Sequence, residues 1–247
     1  MKIALEAEVW SRLYGPYGNH SVNRQLISLS KRWDIAVAKE LFWEELHHQE
    51  DIYPATFAAL PWLVELAPTS GEGFEETSLF LSHIIYCACT PGGTGCHGKG
   101  PRGKYRGLST EISDHQHSWI PEHEWLIAED LPVLVSLENW FADHCWMMAK
   151  DSLRVLGPDL SVSAYALEGF ATLNGSSRVI QSALMFAGGH DISFIHEELG
   201  DYDESDTVVV ERLYPYLVER NAELASFMLG YPGCTFLPND PAQARLF

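Results

Sequence analysis

Four potential metal ligands lie close together near the middle of the sequence. They are Cys87, Cys89, Cys96 and His97, and thiolate and imidazole are donors that zinc prefers. Paired cysteines in a structural zinc site usually have two to four residues between them, whereas one residue separates Cys87 from Cys89. Cys87 also falls in the last turn of a predicted helix, where a free cysteine is often buried as a small apolar side chain. The segment therefore indicates either a zinc site or buried thiols without metal.

A second polar cluster follows the first. His115 and His117 lie one residue apart beside Asp114, and His123 stands between two glutamates. Imidazole and carboxylate groups in such a cluster can coordinate a transition metal or act as a general base. The same residues also fit an ordinary solvated loop. Because only the folded chain decides whether they meet the cysteines, the sequence assigns no metal ligand and no cofactor.

The cysteines and histidines belong to a segment that is rich in glycine and basic residues. Residues 93–99 fit the G-x4-G-K half of a phosphate-binding loop, in which backbone N–H groups and the lysine hold phosphate. Gly100 stands where Ser or Thr would bind magnesium, and residues 101–103 disfavour the helix that must follow. We therefore interpret residues 90–123 as an inserted flexible loop rather than as a nucleotide site.

Other signatures of catalysis or metal binding are incomplete. Residues 200–206 have carboxylates spaced as in a calcium loop, but Arg212 stands where a bidentate glutamate belongs. We interpret this segment as a linker that ends with Asp206 as the N-cap of a helix. The sequence contains no serine elbow, no H-E-x-x-H motif and no dinucleotide fingerprint. We assign no catalytic residue.

The charge of the chain limits its partners. It has 34 acidic residues against 16 Lys and Arg, a formal net charge of −18. Nucleic acids and anionic membranes bind proteins through basic residues, so we expect neither as a partner. An acidic surface keeps an aromatic-rich chain in solution and favours encounter with a basic protein or peptide.

Composition and termini indicate a cytoplasmic location. Glu6 and Glu8 interrupt the amino-terminal segment before the apolar region of a signal peptide could form. Five cysteines are an odd number, which favours reduced thiols over a disulfide framework. The sequence has no uncharged apolar run long enough to span a membrane.

Apolar residues recur mostly at helical spacing, and few segments alternate as strands do. We predict one helix over residues 33–46 with Asp34 as its N-cap, and a second that starts at Pro54 and stops at Pro68. Further helices are predicted over 74–88, 124–156, 163–173, 178–187 and 207–229, with breaks in 124–156 and 207–229. The sequence therefore predicts an all-α protein.

A short motif recurs three times along the chain. Leu60-Pro61-Trp62-Leu63-Val64 returns in related form at residues 131–135 and 214–218. The copies are spaced by roughly twice the period of a helical repeat, which is about 35–45 residues. We predict that each proline stands early in a helix, where its missing N–H costs no internal hydrogen bond. Pro61, Leu63 and Leu134 are predicted core residues.

Residues 41–49, 52–56 and 58–66 resemble bacterial HEAT-repeat proteins. Those proteins carry a Trp-x2-Leu, His-Gln, Tyr, Ala-rich and Pro-x-Leu series in the same order as this chain. The specific match covers about residues 33–67, and residues 165–167 with 183–184 are similar to the inner helix of a HEAT unit.

The sequence departs from the HEAT pattern at two places. Glu50-Asp51 replaces a more usual small residue, and the insertion at 90–123 is long. The resemblance implies a single HEAT/armadillo-like helical-repeat solenoid over residues 1–247, with a coil tail at 232–247.

A candidate binding site lies on the same motif. His47, His48 and Gln49 are expected at the end of a helix, where histidine interacts favourably with the helix dipole and Gln49 can satisfy free carbonyls. That structural role is our main interpretation. The alternative is a binding pocket formed by Trp43, His48, Gln49 and Tyr53.

The resemblance and the charge together favour a binding module over an enzyme. Stacked helix pairs expose a groove that suits a basic or apolar segment of a protein partner. The alternative is a metal-binding protein or metal-dependent enzyme that uses Cys96, His97, His115, His117 and His123 of the inserted loop.

The core assignment leads to a first prediction. We expect Leu63→Ala to lower the free energy of unfolding by about 2–5 kcal/mol, because a buried leucine loses its contacts and leaves a cavity. Equilibrium unfolding in urea measures the change. A loss below about 0.5 kcal/mol, typical of surface positions, would contradict the assignment.

Overall fold

The computed structural model describes residues 2–18, 21–48, 51–90 and 126–238. These residues are mostly helical, which confirms the all-α prediction, whereas the solenoid arrangement stays a prediction. Contacts along the chain define two compact units, Met1–Met148 and Ala149–Phe247. None of the helices in the described ranges combines the length and apolar character that a membrane crossing needs.

The first unit is built from helices and one short strand pair. Its helices are α1 (Val22–Lys31), α2 (Ile35–Glu40), α3 (Pro54–Leu66), α4 (Gly71–Cys89) and most of α5 (Leu131–Ser152). A π-helical stretch, Leu41–Glu45, continues α2. β1 (His47–His48) then pairs antiparallel with β2 (Asp51–Ile52). Helix α1 packs against α3, and α2 packs against α4.

Local signals in the sequence explain where two of these helices begin. The Asp34 carboxylate accepts hydrogen bonds from the backbone N–H groups of Ala36 and Val37, which confirms the predicted N-cap. Pro54 is the first residue of α3, where its missing N–H costs nothing. Helix α3 ends at Leu66, two residues before Pro68, as predicted.

The predicted core residues are buried. Leu63 and Leu134 have no exposed surface, and Pro61 is also buried. Helix α3 is apolar on nearly all sides, and most of its residues lie in the core of the first unit. A helix with this composition is stable only when it is surrounded by packing partners.

The three repeated prolines occupy different positions in their helices. Pro132 lies in the first turn of α5, but Pro61 lies in the middle of α3 and Pro215 near the end of α9 (Glu204–Leu217). The prediction of an early position was therefore wrong for two of the three. At Pro61, burial of the surrounding residues offsets the loss of one helical hydrogen bond.

The second unit contains the remaining helices. They are α6 (Leu160–Leu173), α7 (Ser177–Ala187), α8 (Ile192–Leu199), α9 and α10 (Ala222–Gly230). Helix α7 packs against each of the others, and α9 packs against α10. Residues 232–238 contain no helix or strand.

Two details of the helix prediction change. Helices α1 and α8 were not predicted, although Asp191 caps α8 by accepting a hydrogen bond from the Phe194 N–H. The N-cap of α9 is Asp203 rather than Asp206. Asp206 is the third residue of that helix, and its carboxylate accepts a hydrogen bond from the Asp203 N–H in a reciprocal capping box.

A buried ion pair ties the amino-terminal segment to the start of α5. Arg12 donates two hydrogen bonds to Asp130, from Nε at 2.9 Å and from Nη2 at 2.8 Å. The Ile127 N–H donates a third at 3.0 Å. The hydrogen bonds from Arg12 hold the pKa of Asp130 below its ordinary value, although burial opposes this effect.

This ion pair predicts loss of stability in acid. A carboxylate with a lowered folded-state pKa stabilises the fold above its ordinary pKa of about 4, and that contribution is lost as the pH falls through the folded-state value. We expect Asp130→Asn to cost about 1.5–3 kcal/mol at neutral pH and progressively less below pH ~4. Urea unfolding between neutral and acidic pH measures the difference.

The matched control is Glu65→Gln, which removes an exposed ion pair with Lys2 in the same unit. We expect this control to cost less than about 0.5 kcal/mol at every pH. A cost of Asp130→Asn that did not change with pH would contradict the assigned role of the carboxylate charge.

Candidate metal centre

Three potential metal ligands meet where β1 lies beside α4 in the first unit. The Nε2 atoms of His47 and His83 are 3.0 Å apart, and Sγ of Cys87 is 3.4 Å from Nε2 of His83. The three ligand atoms all lie within 4.8 Å of one another. We call this group the His47–His83–Cys87 cluster.

Helix geometry and strand pairing place these side chains. His83 and Cys87 are four residues apart on α4, so both project from the same face of the helix. His47 is the first residue of β1 and pairs with Ile52, which is fully buried. The Thr56 hydroxyl of α3 donates a hydrogen bond to the Leu46 carbonyl and thereby holds the chain just before β1.

Aromatic packing sets the distance between the two sides of the cluster. Phe42 stacks on Phe80 with ring centroids 4.5 Å apart and an interplanar angle of 7°. Phe80 precedes His83 by one helical turn on α4, and Phe42 lies in the π-helical stretch that leads to β1. The stack therefore fixes the segment that carries His47 against the helix that carries His83 and Cys87.

Two further aromatic rings border the histidines. The Trp43 ring lies 5.7 Å from the His47 ring and 5.8 Å from the His83 ring, between centroids. The Tyr86 ring is stacked on His83 at 6.0 Å. Trp43 donates a hydrogen bond from Nε1 to Glu76 at 2.8 Å, which orients the indole. These contacts restrict the rotamers of both imidazoles.

The donor atoms differ in exposure. Cys87 is fully buried, whereas His83 is half-buried. Two Nε2 atoms that face each other at 3.0 Å cannot both carry a proton, so at least one of them presents a lone pair. The buried sulfur lies against the same His83 nitrogen. The three groups are joined by hydrogen bonds, and a cation that displaced the protons between them could bind the same nitrogen and sulfur atoms.

The distances are close to those of a tetrahedral zinc ion. Zinc bonds of about 2.0–2.1 Å to nitrogen and 2.3 Å to sulfur imply N–N and N–S separations of roughly 3.3 and 3.6 Å. The observed separations are 3.0 Å and 3.4 Å. These two separations are near the tetrahedral values, and the ligand atoms of the third pair, His47 and Cys87, lie within 4.8 Å of each other.

The structure places the predicted binding residues in different surroundings. Trp43 borders the cluster. His48 follows His47 on β1, and its Nδ1 is hydrogen-bonded to the Tyr17 hydroxyl at 3.1 Å. Tyr53 is fully buried, edge-on to Tyr14 at 6.4 Å between ring centroids. Gln49 lies outside the described residues.

The predicted helix ends just before His47, as expected, but the strand that follows was not predicted. The helical stretch stops at Glu45, and the two histidines form β1 instead of its last turn. Pairing with β2 gives hydrogen-bond partners to backbone N–H and C=O groups that would lack them at a helix end. The ring of His47 turns to α4, so its surroundings come from tertiary contact rather than from a helix dipole.

Of the metal ligands considered from the sequence, Cys87 is the one that enters the cluster. It is buried, as predicted, and Cys89 is half-buried at the end of α4. The other candidates lie outside the described residues: Cys96, His97, His115, His117 and His123.

His83 was missed by the sequence analysis. The feature that could have identified it is its position four residues before Cys87 in a predicted helix, because this spacing places both side chains on one face. His47 precedes His83 by 36 residues, and no local pattern joins the two.

Comparisons of the chain with family models, with curated proteins and with solved structures found no match. The chemistry of the His47–His83–Cys87 cluster is therefore interpreted from its own geometry.

Proposed function

We propose that the first unit binds a transition-metal ion, zinc in the first place, through His47, His83 and Cys87. The observation that carries this proposal is the convergence of two imidazole nitrogens and one sulfur within 4.8 Å. These donors come from two elements that are distant in sequence. Magnesium and calcium prefer oxygen ligands, whereas nitrogen and sulfur donors suit zinc.

The electrostatics of the unit support a bound cation. Glu76 accepts the hydrogen bond from Trp43, whose ring contacts both histidines, and Glu76 also pairs with Lys39 at 3.4 Å, so its charge near the cluster is partly offset. The chain as a whole carries a formal charge of −18, which attracts cations.

A bound ion would connect β1 to α4 directly. Across this junction His47 and His83 make one contact at 3.0 Å, and Cys87 contacts His83 at 3.4 Å within α4. Coordination replaces these contacts with metal bonds that the unfolded chain cannot form in the same arrangement. A ligand present at about 100 times its dissociation constant stabilises the fold by about 2.7 kcal/mol.

The proposal predicts one zinc ion per chain that depends on this cluster. Untagged protein is equilibrated with buffered zinc, and zinc is measured by elemental mass spectrometry together with stability in urea. We expect His83→Ala and Cys87→Ser to weaken zinc binding at least about tenfold, because each removes a ligand. The stabilisation by zinc should fall with the affinity.

The controls are a histidine and a cysteine of α5 in the same unit. His144 stacks on Trp140 at 4.2 Å, and Cys145 is buried. We expect His144→Ala and Cys145→Ser to bind zinc as the parent chain does. Zinc binding that survives both His83→Ala and Cys87→Ser would exclude the His47–His83–Cys87 cluster as the site.

We also propose, as a second candidate, that the helices form a HEAT/armadillo-like repeat fold that binds a basic protein segment in the cytoplasm. Neighbouring helices α6 and α7, and α9 and α10, pack together in pairs, as such repeats do. Leu131, Val135 and Trp146 lie within about 60° of one another around α5. Each is about two-fifths exposed.

The second candidate predicts charge-selective peptide binding. We expect a Lys-rich amphipathic peptide to bind in calorimetry, and binding to weaken as salt is added, because the chain is acidic. The double variant Val135→Ser with Trp146→Ser should weaken binding, whereas Phe194→Ser, an exposed aromatic on α8, should not. Equal binding of an acidic peptide of the same apolar pattern would contradict the proposal.

A further inference from the structure

We propose that a groove between α6 and α9 in the second unit binds a zwitterionic peptide of about three residues whose central side chain is apolar. The groove uses no residue of the His47–His83–Cys87 cluster and none of α5. This inference therefore goes beyond both functions proposed above and holds or fails independently of them.

A cavity gives the site its dimensions. It has a volume of about 370 Å³ and is lined by one residue at the end of α6 and four residues of α9: Asn174, Glu204, Ser205, Val208 and Arg212. Small-ligand sites have volumes of about 300–1,000 Å³, so the groove suits a ligand at the small end of that range. Asn174 is half-buried and the other four residues are exposed, so a ligand can enter directly from solvent.

Arg212 is positioned to bind a carboxylate at one end of the groove. Its Nη1 atom donates a hydrogen bond to Oδ1 of Asn174, and Nδ2 of Asn174 donates to the Phe170 carbonyl at 2.7 Å. Asn174 is the C-cap of α6, so the helix fixes its place. A guanidinium has five N–H donors, and the bond to Asn174 uses one of them. Two others can bind a carboxylate through parallel hydrogen bonds.

Glu204 offers a negative charge at the other end. It is the first residue of α9, and Asp203 and Asp206 are close to it in sequence. Arg178 pairs with Asp206 at 2.7 Å and lies 3.6 Å from Asp203. Three carboxylates therefore share one guanidinium, and the helix N-terminus adds roughly half a positive charge. The sum is negative, so this end of the groove attracts an ammonium group.

The middle of the groove is apolar. Val208 is four residues from Glu204 and four from Arg212, so the three side chains lie on one side of α9. The hydroxyl of Ser205 donates a hydrogen bond to Asp203 at 2.6 Å. An apolar side chain at the centre of the ligand gains contact with Val208, whereas a charged one would lose hydration without gaining a partner.

The spacing of the two charges sets the length of the ligand. Glu204 and Arg212 are eight residues apart, which is about 12 Å along the helix axis. An extended peptide advances about 3.3–3.6 Å per residue, so the ends of a tripeptide are about 10–11 Å apart. A zwitterion has no net charge, so the formal charge of −18 does not repel it as it would repel an anion.

The test is a titration of the isotope-labelled full chain, followed by proton–nitrogen correlation NMR. The probe is the tripeptide Ala-Leu-Ala, which we expect to shift the backbone amide signals of Val208 and Arg212 saturably. Its N-acetyl form and its C-terminal amide should each bind about two- to fivefold more weakly, because each lacks one exposed ion pair. Ala-Asp-Ala, Ala-Leu and Ala-Leu-Ala-Ala-Ala should also bind more weakly than Ala-Leu-Ala.

Two variants assign the orientation of the peptide. We expect Arg212→Gln to weaken Ala-Leu-Ala and its N-acetyl form about two- to fivefold and to leave the amide form unchanged. Glu204→Gln should weaken Ala-Leu-Ala and the amide form and leave the N-acetyl form unchanged. The matched controls are Glu211→Gln and Arg220→Gln, exposed residues that do not line the groove, and both should bind all three peptides as the parent chain does.

The contrary outcomes are equally specific. Signal shifts that stay proportional to peptide concentration, or blocked peptides that bind as tightly as Ala-Leu-Ala, would overturn the site. Variants that weaken all three peptides alike would exclude the assigned contacts of Glu204 and Arg212. Equal binding of the two-, three- and five-residue peptides would exclude the match between charge spacing and ligand length.

Discussion

The stacking of Phe42 on Phe80 is the contact on which the candidate site depends. It holds the end of α2 and its π-helical continuation against α4, with ring centroids 4.5 Å apart. His47 follows Phe42 on one side of this contact, and His83 follows Phe80 on the other. Because buried aromatic rings contribute much of a core's stability, the fold brings the imidazoles together as a consequence of apolar packing.

The polar groups of the two units are satisfied in different ways. In the second unit, buried Asp206 accepts hydrogen bonds from Ser176 at 2.5 Å, Arg178 at 2.7 Å and the Asp203 N–H at 3.0 Å. These three donors satisfy both oxygens of the Asp206 carboxylate, so the buried charge has its hydrogen-bond partners within the protein. In the His47–His83–Cys87 cluster, two imidazole nitrogens and a sulfur are joined by hydrogen bonds, and these atoms are also the donors that the proposed metal ion would use.

Helices and their starting points could be read from the sequence because their causes are local. The N-cap at Asp34 and the start at Pro54 depend on neighbouring backbone groups, and the recurring Pro-x-Leu motif marked Leu63 and Leu134 as core. The predicted helix from Pro54 to Pro68 contains Pro61, but the reason that a proline is tolerated there could not be read from local sequence. Its cost is offset by burial from several directions, which local spacing does not show.

The sequence by itself determined an acidic, helical chain and the shared face of His83 and Cys87, since both follow from composition and helical period. Only the tertiary structure decided that His47 completes the cluster. The sequence predicted a helix that ends beside His47, but it did not predict that the chain then forms β1 and turns the imidazole to a residue 36 positions further on. The physical reason is that a metal site is built from side chains on separate elements, and long-range packing alone sets the distance between them.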